Sequence, residues 1–140
     1  MKKRASATWE GDLKAGGGTI STESGVLDGA AFGFNTRFED GPGTNPEELI
    51  GAAHAGCFAM AFSNELASAG YPPKSVEAKA VVHLEQKDGG FRITKSELTV
   101  TADVPDADDA AFRKALADAE AGCPVSNALN AEVTVDVTRV

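Results

Sequence analysis

The chain has 140 residues and a mass of 14.4 kDa, the length of a single domain over 1–140. Thirteen Lys and Arg against 21 Asp and Glu leave a net charge of −8, which argues against the clustered basic surface that nucleic acid or an anionic membrane requires. The 42% apolar content is rich in alanine and only 6% of residues are aromatic, so the core of one chain is lean and a second copy is expected to complete it.

The basic start Met1–Arg4 passes at once into Ser6, Thr8, Glu10 and Asp12, without the apolar run of a secretory leader. The longest apolar stretch, Ala52 to Phe62, contains His54 and is too short to span a bilayer, so a cytoplasmic location is expected. Residues 1–40 are rich in Gly, Ser and Thr. The alternations Ala5, Ala7, Trp9 and Phe32, Phe34 predict short strands, with turns at Glu10–Asp12 and Gly16–Gly18. The loop Gly41–Pro46 leads into a helix over about Glu47 to Ala69, with Thr44 or Asn45 as N-cap, Pro46 in the first turn and Glu47 or Glu48 completing a capping box. Gly70 and Pro72-Pro73 end it. The middle of this helix is apolar on every side and is expected to be buried all round, with Gly51 and Gly56 marking close approach of another element.

Val76, Ala78, Ala80, Val82 and Leu84 alternate as a strand, and Asp88-Gly89-Gly90 turns the chain into its partner. In that partner the apolar positions change from odd (Phe91, Ile93) to even (Leu98, Val100, Ala102, Val104), which predicts a bulge near Lys95-Ser96. A second helix is expected from Pro105-Asp106 to Gly122, its N-terminus favoured by Asp106, Asp108 and Asp109. A short helix from Pro124 and a last strand at Val133, Val135 and Val137 complete the chain. The fold class is α+β, with antiparallel sheets around a long central helix.

Two cysteines could carry chemistry. Cys123 precedes Pro124 and becomes an N-cap if the short helix starts there, a position that favours a thiolate. Cys57 lies mid-helix among small residues, with His54 three positions before it on the same face. A buried core role competes for both cysteines, and a satisfied buried polar role competes for His54. Two histidines and two distant cysteines without a C-x-x-C spacing make a zinc site a poor expectation. Without further context Arg37 reads as a surface charge and Glu47 as a capping carboxylate.

The stretch from Arg37-Phe-Glu-Asp through Asn45-Pro-Glu-Glu-Leu to His54-Ala-Gly-Cys57-Phe58, followed after 66 residues by Cys123-Pro124-Val125-Ser126, closely resembles the osmotically inducible protein C (OsmC) family, whose relatives include the organic hydroperoxide resistance proteins. His54 and the Arg-Phe-Glu-Asp context favour the OsmC branch. The resemblance covers the whole chain and implies an intertwined homodimer and a thiol peroxidase acting on organic hydroperoxides better than on hydrogen peroxide. By it, Cys57 is the peroxidatic cysteine, Cys123 the resolving one, and Arg37 with Glu47 the charged pair that activates Cys57. An external dithiol, lipoylated protein being the family expectation, regenerates the thiols, and neither metal nor cofactor is needed.

One helical constraint applies. Glu47 and Cys57 are ten residues apart, ~15 Å along a straight helix. Either Arg37 bridges that distance, or the helix breaks near its start, or Glu47 acts from the second chain. Phe58 and Phe62 would give the thiol an apolar approach suited to an alkyl hydroperoxide, with an ordinary core role as the competing reading. A non-catalytic dimer binding an apolar ligand, and a general thiol–disulfide oxidoreductase, are the rival functions.

Overall fold

A computed structural model covering residues 1–140 opens on three short strands, β1 (Ala5–Glu10), β2 (Gly17–Thr22) and β3 (Ala30–Phe32), in an antiparallel sheet of order β1-β2-β3. They lie in the first of two units into which the chain's contacts divide, Met1–Leu49 and Ile50–Val140. Asp12 shapes the first turn, its carboxylate accepting the Lys14 and Ala15 N–H groups. Gly17 and Gly18, expected in a turn, belong to β2. A side chain at Gly18 would bring its Cβ to 2.3 Å from the Thr8 carbonyl oxygen and 2.5 Å from the Phe32 ring, so the strand pairing itself requires glycine there. Every residue of β1 is exposed, including Trp9, which leans on Phe32 with ring centroids 5.3 Å apart.

Phe34 does not extend a strand. It begins the short helix α1 (Phe34–Phe38), because the Thr36 hydroxyl folds back on Gly33, accepting its N–H at 2.8 Å and donating to its carbonyl at 3.0 Å. The loop that follows passes through Gly43 at φ +132°, where a Cβ would meet the Ala31 carbonyl oxygen at 2.4 Å.

The long helix α2 runs unbroken from Pro46 to Ser68. Asn45 is the cap, its side-chain oxygen accepting the Glu48 N–H at 2.8 Å. Its expected burial on all sides is not observed. His54, Phe58, Phe62 and Leu66, four residues apart, have no exposed surface, whereas Ala52, Ala53, Gly56 and Met60 form an exposed stripe. Gly51 does meet a neighbouring element, lying over Ala80 and Val82, but nothing in the chain comes within 4 Å of a Cβ built at Gly56. The physical reason is that one chain supplies packing for one side of the helix, and small residues leave little apolar area to draw cover from elsewhere in the chain.

In the second unit, β4 (Ser75–Lys87) and β5 (Gly90–Asp103) form a long hairpin with Asp88 (φ +52°) and Gly89 (φ +78°) at its tip. His83 pairs with Lys95 and Leu84 with Ile93, leaving Thr94 as the extra residue of a bulge, one position before the expected site. Beyond it Ser96, Leu98, Val100 and Ala102 all turn inward. α3 (Asp109–Gly122) starts later than expected because Asp108, not Pro105-Asp106, caps it, accepting the Ala111 N–H at 2.8 Å. α4 (Pro124–Ala128) and β6 (Glu132–Arg139) complete the chain. β6 pairs with β5 in parallel, Leu98 opposite Val135, so the second sheet is mixed where an antiparallel one was expected. The α3–α4 crossover carries the chain back to the starting end of β5 before β6 begins, which dictates the parallel direction. The core of this unit joins Phe58, Phe62 and Leu66 of α2 to Leu98, Val100 and Ala102 of β5 and Phe112, Ala115 and Ala119 of α3. An α+β architecture results, with a long helix.

Candidate active site

In the first unit the end of α1 and the start of α2 bring together two of the expected residues. Glu47 is 8% exposed, and its carboxylate holds Arg37 in a fork: Nη2 donates to Oε1 at 2.7 Å, and Nε donates to Oε1 and Oε2 at 3.1 and 3.2 Å. A two-pronged pair of this kind fixes the guanidinium plane as well as its charge. The Asn45 side-chain N–H donates to the Thr36 carbonyl at 3.0 Å, tying α1 to the cap of α2, and Arg37 also lies 5.4 Å from the centre of the Phe38 ring. Beside it an apolar depression of about 300 Å³ is walled by Trp9, Leu13, Phe32, Phe34 and Phe38.

In the second unit α2 and the start of α4 bring the two cysteines against each other. Both are free thiols. Cys57 is partly exposed and Cys123 has no exposed surface. They share an environment, because each acts directly on the proton affinity of the other. Cys123 is the N-cap of α4, as expected, with Pro124 in the first position. Burial pushes its pKa up, but the Ser126 hydroxyl and N–H, the Cys57 thiol and the Val125 N–H outweigh burial, so the thiol titrates below its ordinary value. Cys57 moves the other way. Burial raises it, the Val125 N–H partly offsets that, and the neighbouring Cys123 raises it further. Two thiols this close hold one negative charge between them more readily than two.

His54 is fully buried without a charged partner. Its Nδ1 is 2.7 Å from the Ser96 hydroxyl of β5 and its Nε2 is 2.7 Å from the Ser126 hydroxyl of α4. Burial holds its pKa below the usual histidine value, so the ring is neutral. Of the expected roles, this is the satisfied buried polar one. The two serines were not singled out as functional. Ser126 sits three residues after the N-cap, the position whose side chain reaches back to the cap, and Ser96 is the polar member of the inward-facing series of β5; both signals are present in the chain.

Phe58 and Phe62 also differ from the lining role expected of them. Neither has exposed surface; they sit with ring centroids 6.2 Å apart, and Phe62 meets Phe112 edge-on at 5.4 Å. They turn inward because they share the α2 face that packs on β5 and α3. No group of three or more His, Cys, Asp or Glu is clustered to hold a metal ion, and no helix is long and apolar enough to cross a membrane.

Comparison with known proteins adds to this geometry. Residues 39–138 match the family model described as OsmC-like protein. The chain is 54% identical over 136 residues to peroxiredoxin OsmC of Escherichia coli, covering 97% of this chain and 95% of that protein. It is 30% identical over 119 residues to the organic hydroperoxide resistance protein OhrB of Bacillus subtilis, covering 84% and 85%. The crystal structure of that OhrB superposes with a TM-score of 0.70 at 26% identity, over 96% of this chain and 98% of the other.

Proposed function

The chain belongs to the OsmC family, and on that footing we propose that it is a cysteine-based peroxidase that reduces organic hydroperoxides to alcohols through Cys57 and Cys123. The observation that carries this reading is the cysteine pair itself: a partly open thiol and a buried one, adjacent enough to perturb each other, in a family whose relatives include a peroxiredoxin and organic hydroperoxide resistance proteins. The Cys57 thiolate attacks the O–O bond of the hydroperoxide. Its sulfur becomes a sulfenic acid, and the alkoxide leaves and takes up a proton as the alcohol. Cys123 then attacks the Cys57 sulfur; an S–S bond forms, the S–O bond breaks, and hydroxide leaves and is protonated to water. An external dithiol, lipoylated protein being the family expectation, returns both residues to thiols.

In this reading Cys57 is the nucleophile because a substrate can reach it. Its thiol is nevertheless held high by burial and by Cys123, so it needs a cation to carry the charge at the moment of attack. Arg37 is the residue assigned to that task, and Glu47 keeps its guanidinium fixed. The apolar surface beside Arg37 suits an alkyl group better than hydrogen peroxide. α2 is continuous from Pro46, which favours activation by Arg37 or across a second chain over a break in the helix. The exposed stripe of α2 and the fully exposed β1 favour a homodimer in which each site combines residues of both copies. We read residues 1–140 as one OsmC-like domain working in the cytoplasm.

Intact-mass measurement after one equivalent of cumene hydroperoxide tests the chemistry. A loss of two hydrogens, abolished by Cys57→Ser or Cys123→Ser, is the expected result. An unchanged mass with both thiols free would make the cysteines core residues and a dimer binding an apolar ligand the better account; a disulfide formed with oxidised dithiols but not with peroxide would favour a thiol–disulfide oxidoreductase.

A further inference from the structure

Glu47 occupies one edge of Arg37 and leaves another free. A guanidinium carries five N–H donors in a planar fork. The Nε–H and one Nη2–H go to the Glu47 carboxylate, and the two Nη1–H groups and the second Nη2–H have no acceptor in the chain. The free side is the end-on edge, where an Nη1–H and an Nη2–H run parallel at the spacing that takes a carboxylate two-pronged. It is within reach of solutes, since 35% of the Arg37 side-chain surface is open. Its surroundings are not those of an ordinary surface arginine. Arg37 lines the apolar depression of about 300 Å³ and is the one charged residue among those that do; its acidic neighbours Glu39 and Asp40 take no part. The walls are braced in pairs, Phe34 against Phe38 with ring centroids 4.8 Å apart and Trp9 against Phe32 at 5.3 Å. Trp9 Nε1 donates to the Gly11 carbonyl at 3.0 Å, which fixes the indole, and Phe38 also lies against the guanidinium. A preformed apolar wall that meets an unfilled cationic fork is complementary to a molecule with one anionic head and an apolar tail.

We propose that the free edge of Arg37 and the depression beside it bind a monocarboxylate with an apolar tail, the chemistry of a medium-chain fatty acid, and that such an acid excludes the hydroperoxide. The carboxylate accepts from Nη1 and Nη2, and the tail lies on the aromatic wall. At roughly 30 Å³ per heavy atom, the share of a water in the liquid, the depression has room for about ten such atoms, so a longer tail leaves its end in solvent. The net charge of −8, with Glu47 already on the guanidinium, disfavours a doubly charged anion such as phosphate, which also has no tail to bury. The competition, unlike the binding, rests on the peroxidase reading, which gives the same guanidinium to the reacting hydroperoxide.

Trp9 is the chain's single tryptophan, so its emission reports on the depression without any need for turnover. Reduced protein is titrated with octanoate, octanol and acetate at constant ionic strength. Octanoate is expected to change the emission and to saturate. Octanol, with the same tail and no charge, should bind about tenfold more weakly or worse, the order expected for losing hydrogen bonds to a charged group, and acetate should leave the emission unchanged over the same range. From hexanoate through octanoate and decanoate to dodecanoate, affinity should rise and then level once the depression is full. Arg37→Gln, checked for its fold by circular dichroism, should bind octanoate and octanol alike. Equal affinity for octanoate and octanol in the unaltered protein, or no change with either, would overturn the proposal without recourse to a variant. The competition is read separately, in steady-state turnover of cumene hydroperoxide with dithiothreitol as reductant, where octanoate should raise KM and leave kcat unchanged. Saturable octanoate binding without inhibition would keep the site and reject the competition, and with it the place given to Arg37 in the reaction. Turnover by a protein that binds no octanoate would keep the peroxidase and reject the site.

Discussion

Protonation of His54 should destabilise the folded protein, and the amount follows from its surroundings. The ring has no exposed surface and its two partners are hydroxyls, so an imidazolium there would lose water and gain no carboxylate in return. Its pKa is accordingly lowered by burial in the folded state, while in the unfolded chain it stays near 6.5. Below that value the unfolded chain takes up a proton that the folded one refuses, so stability falls as pH falls, at a slope approaching ~1.4 kcal/mol per pH unit until the folded-state pKa is reached. Above that window both states are neutral at this position and the slope vanishes. The measurement is urea denaturation of reduced protein at fixed concentration, from pH 7.5 down to about pH 5, for the unaltered chain and for His54→Gln, which keeps a polar group but cannot ionise. His83 and the carboxylates are common to both, so the difference between the two curves isolates His54. The unaltered protein should be the more stable at pH 7.5, and the gap should narrow steadily on acidification. Parallel curves across the whole range would mean that His54 titrates alike in both states, and the account of it as a buried neutral group bonded to two hydroxyls would be wrong.

Phe62→Ala should cost about 3–5 kcal/mol in a denaturant titration, because the ring is fully enclosed and braced edge-on by Phe112. Once the folded fraction is accounted for, KM for hydroperoxides of increasing alkyl length should keep its original trend; a trend that changes with chain length would return Phe62 to the substrate. Mixing Cys57→Ser with Arg37→Ala protein should partly restore peroxidase activity if sites are shared between copies, and verified heterodimers without activity would count against sharing.

The hairpin, the cap of α2 and the cysteine-bearing start of α4 were legible because each is written in neighbouring residues. The change from odd to even apolar positions after Ile93 located the bulge to within one residue, since a bulge has no other way to appear in an alternating strand. Asn45-Pro46 and Asp88-Gly89 were equally local. What eluded the sequence depended on partners far along the chain or on none. Phe34 was read as strand because alternation is short-range, while the Thr36 hydroxyl that bends the backbone into α1 is a side-chain effect. α2 looked buried on every side because composition reports how apolar a face is and not whether anything covers it; Met60 remains 77% exposed. The direction of β6 was set by the crossover and not by its own Val-Thr-Val pattern. At the candidate site the cysteines stood out by themselves, but their roles and the pairing of Arg37 with Glu47 came from family resemblance, whereas the bonds of His54 to Ser96 and Ser126, across 42 and 72 residues, had no counterpart in local spacing.

The unequal exposure of the two sulfurs has a consequence for the return half of a catalytic cycle. In a Cys57–Cys123 disulfide, an incoming thiolate can approach from solvent on the Cys57 side, because Cys123 is enclosed. Attack there makes Cys123 the leaving group, a sulfur at the N-cap of α4, a position that favours a departing thiolate. The mixed disulfide with the reductant is thereby confined to Cys57, and the departing Cys123 thiolate is returned to the place from which it will next attack. In such a cycle the enclosed sulfur would serve both directions of exchange, nucleophile in one and leaving group in the other, and the fold distinguishes the two sulfurs by which one it leaves open.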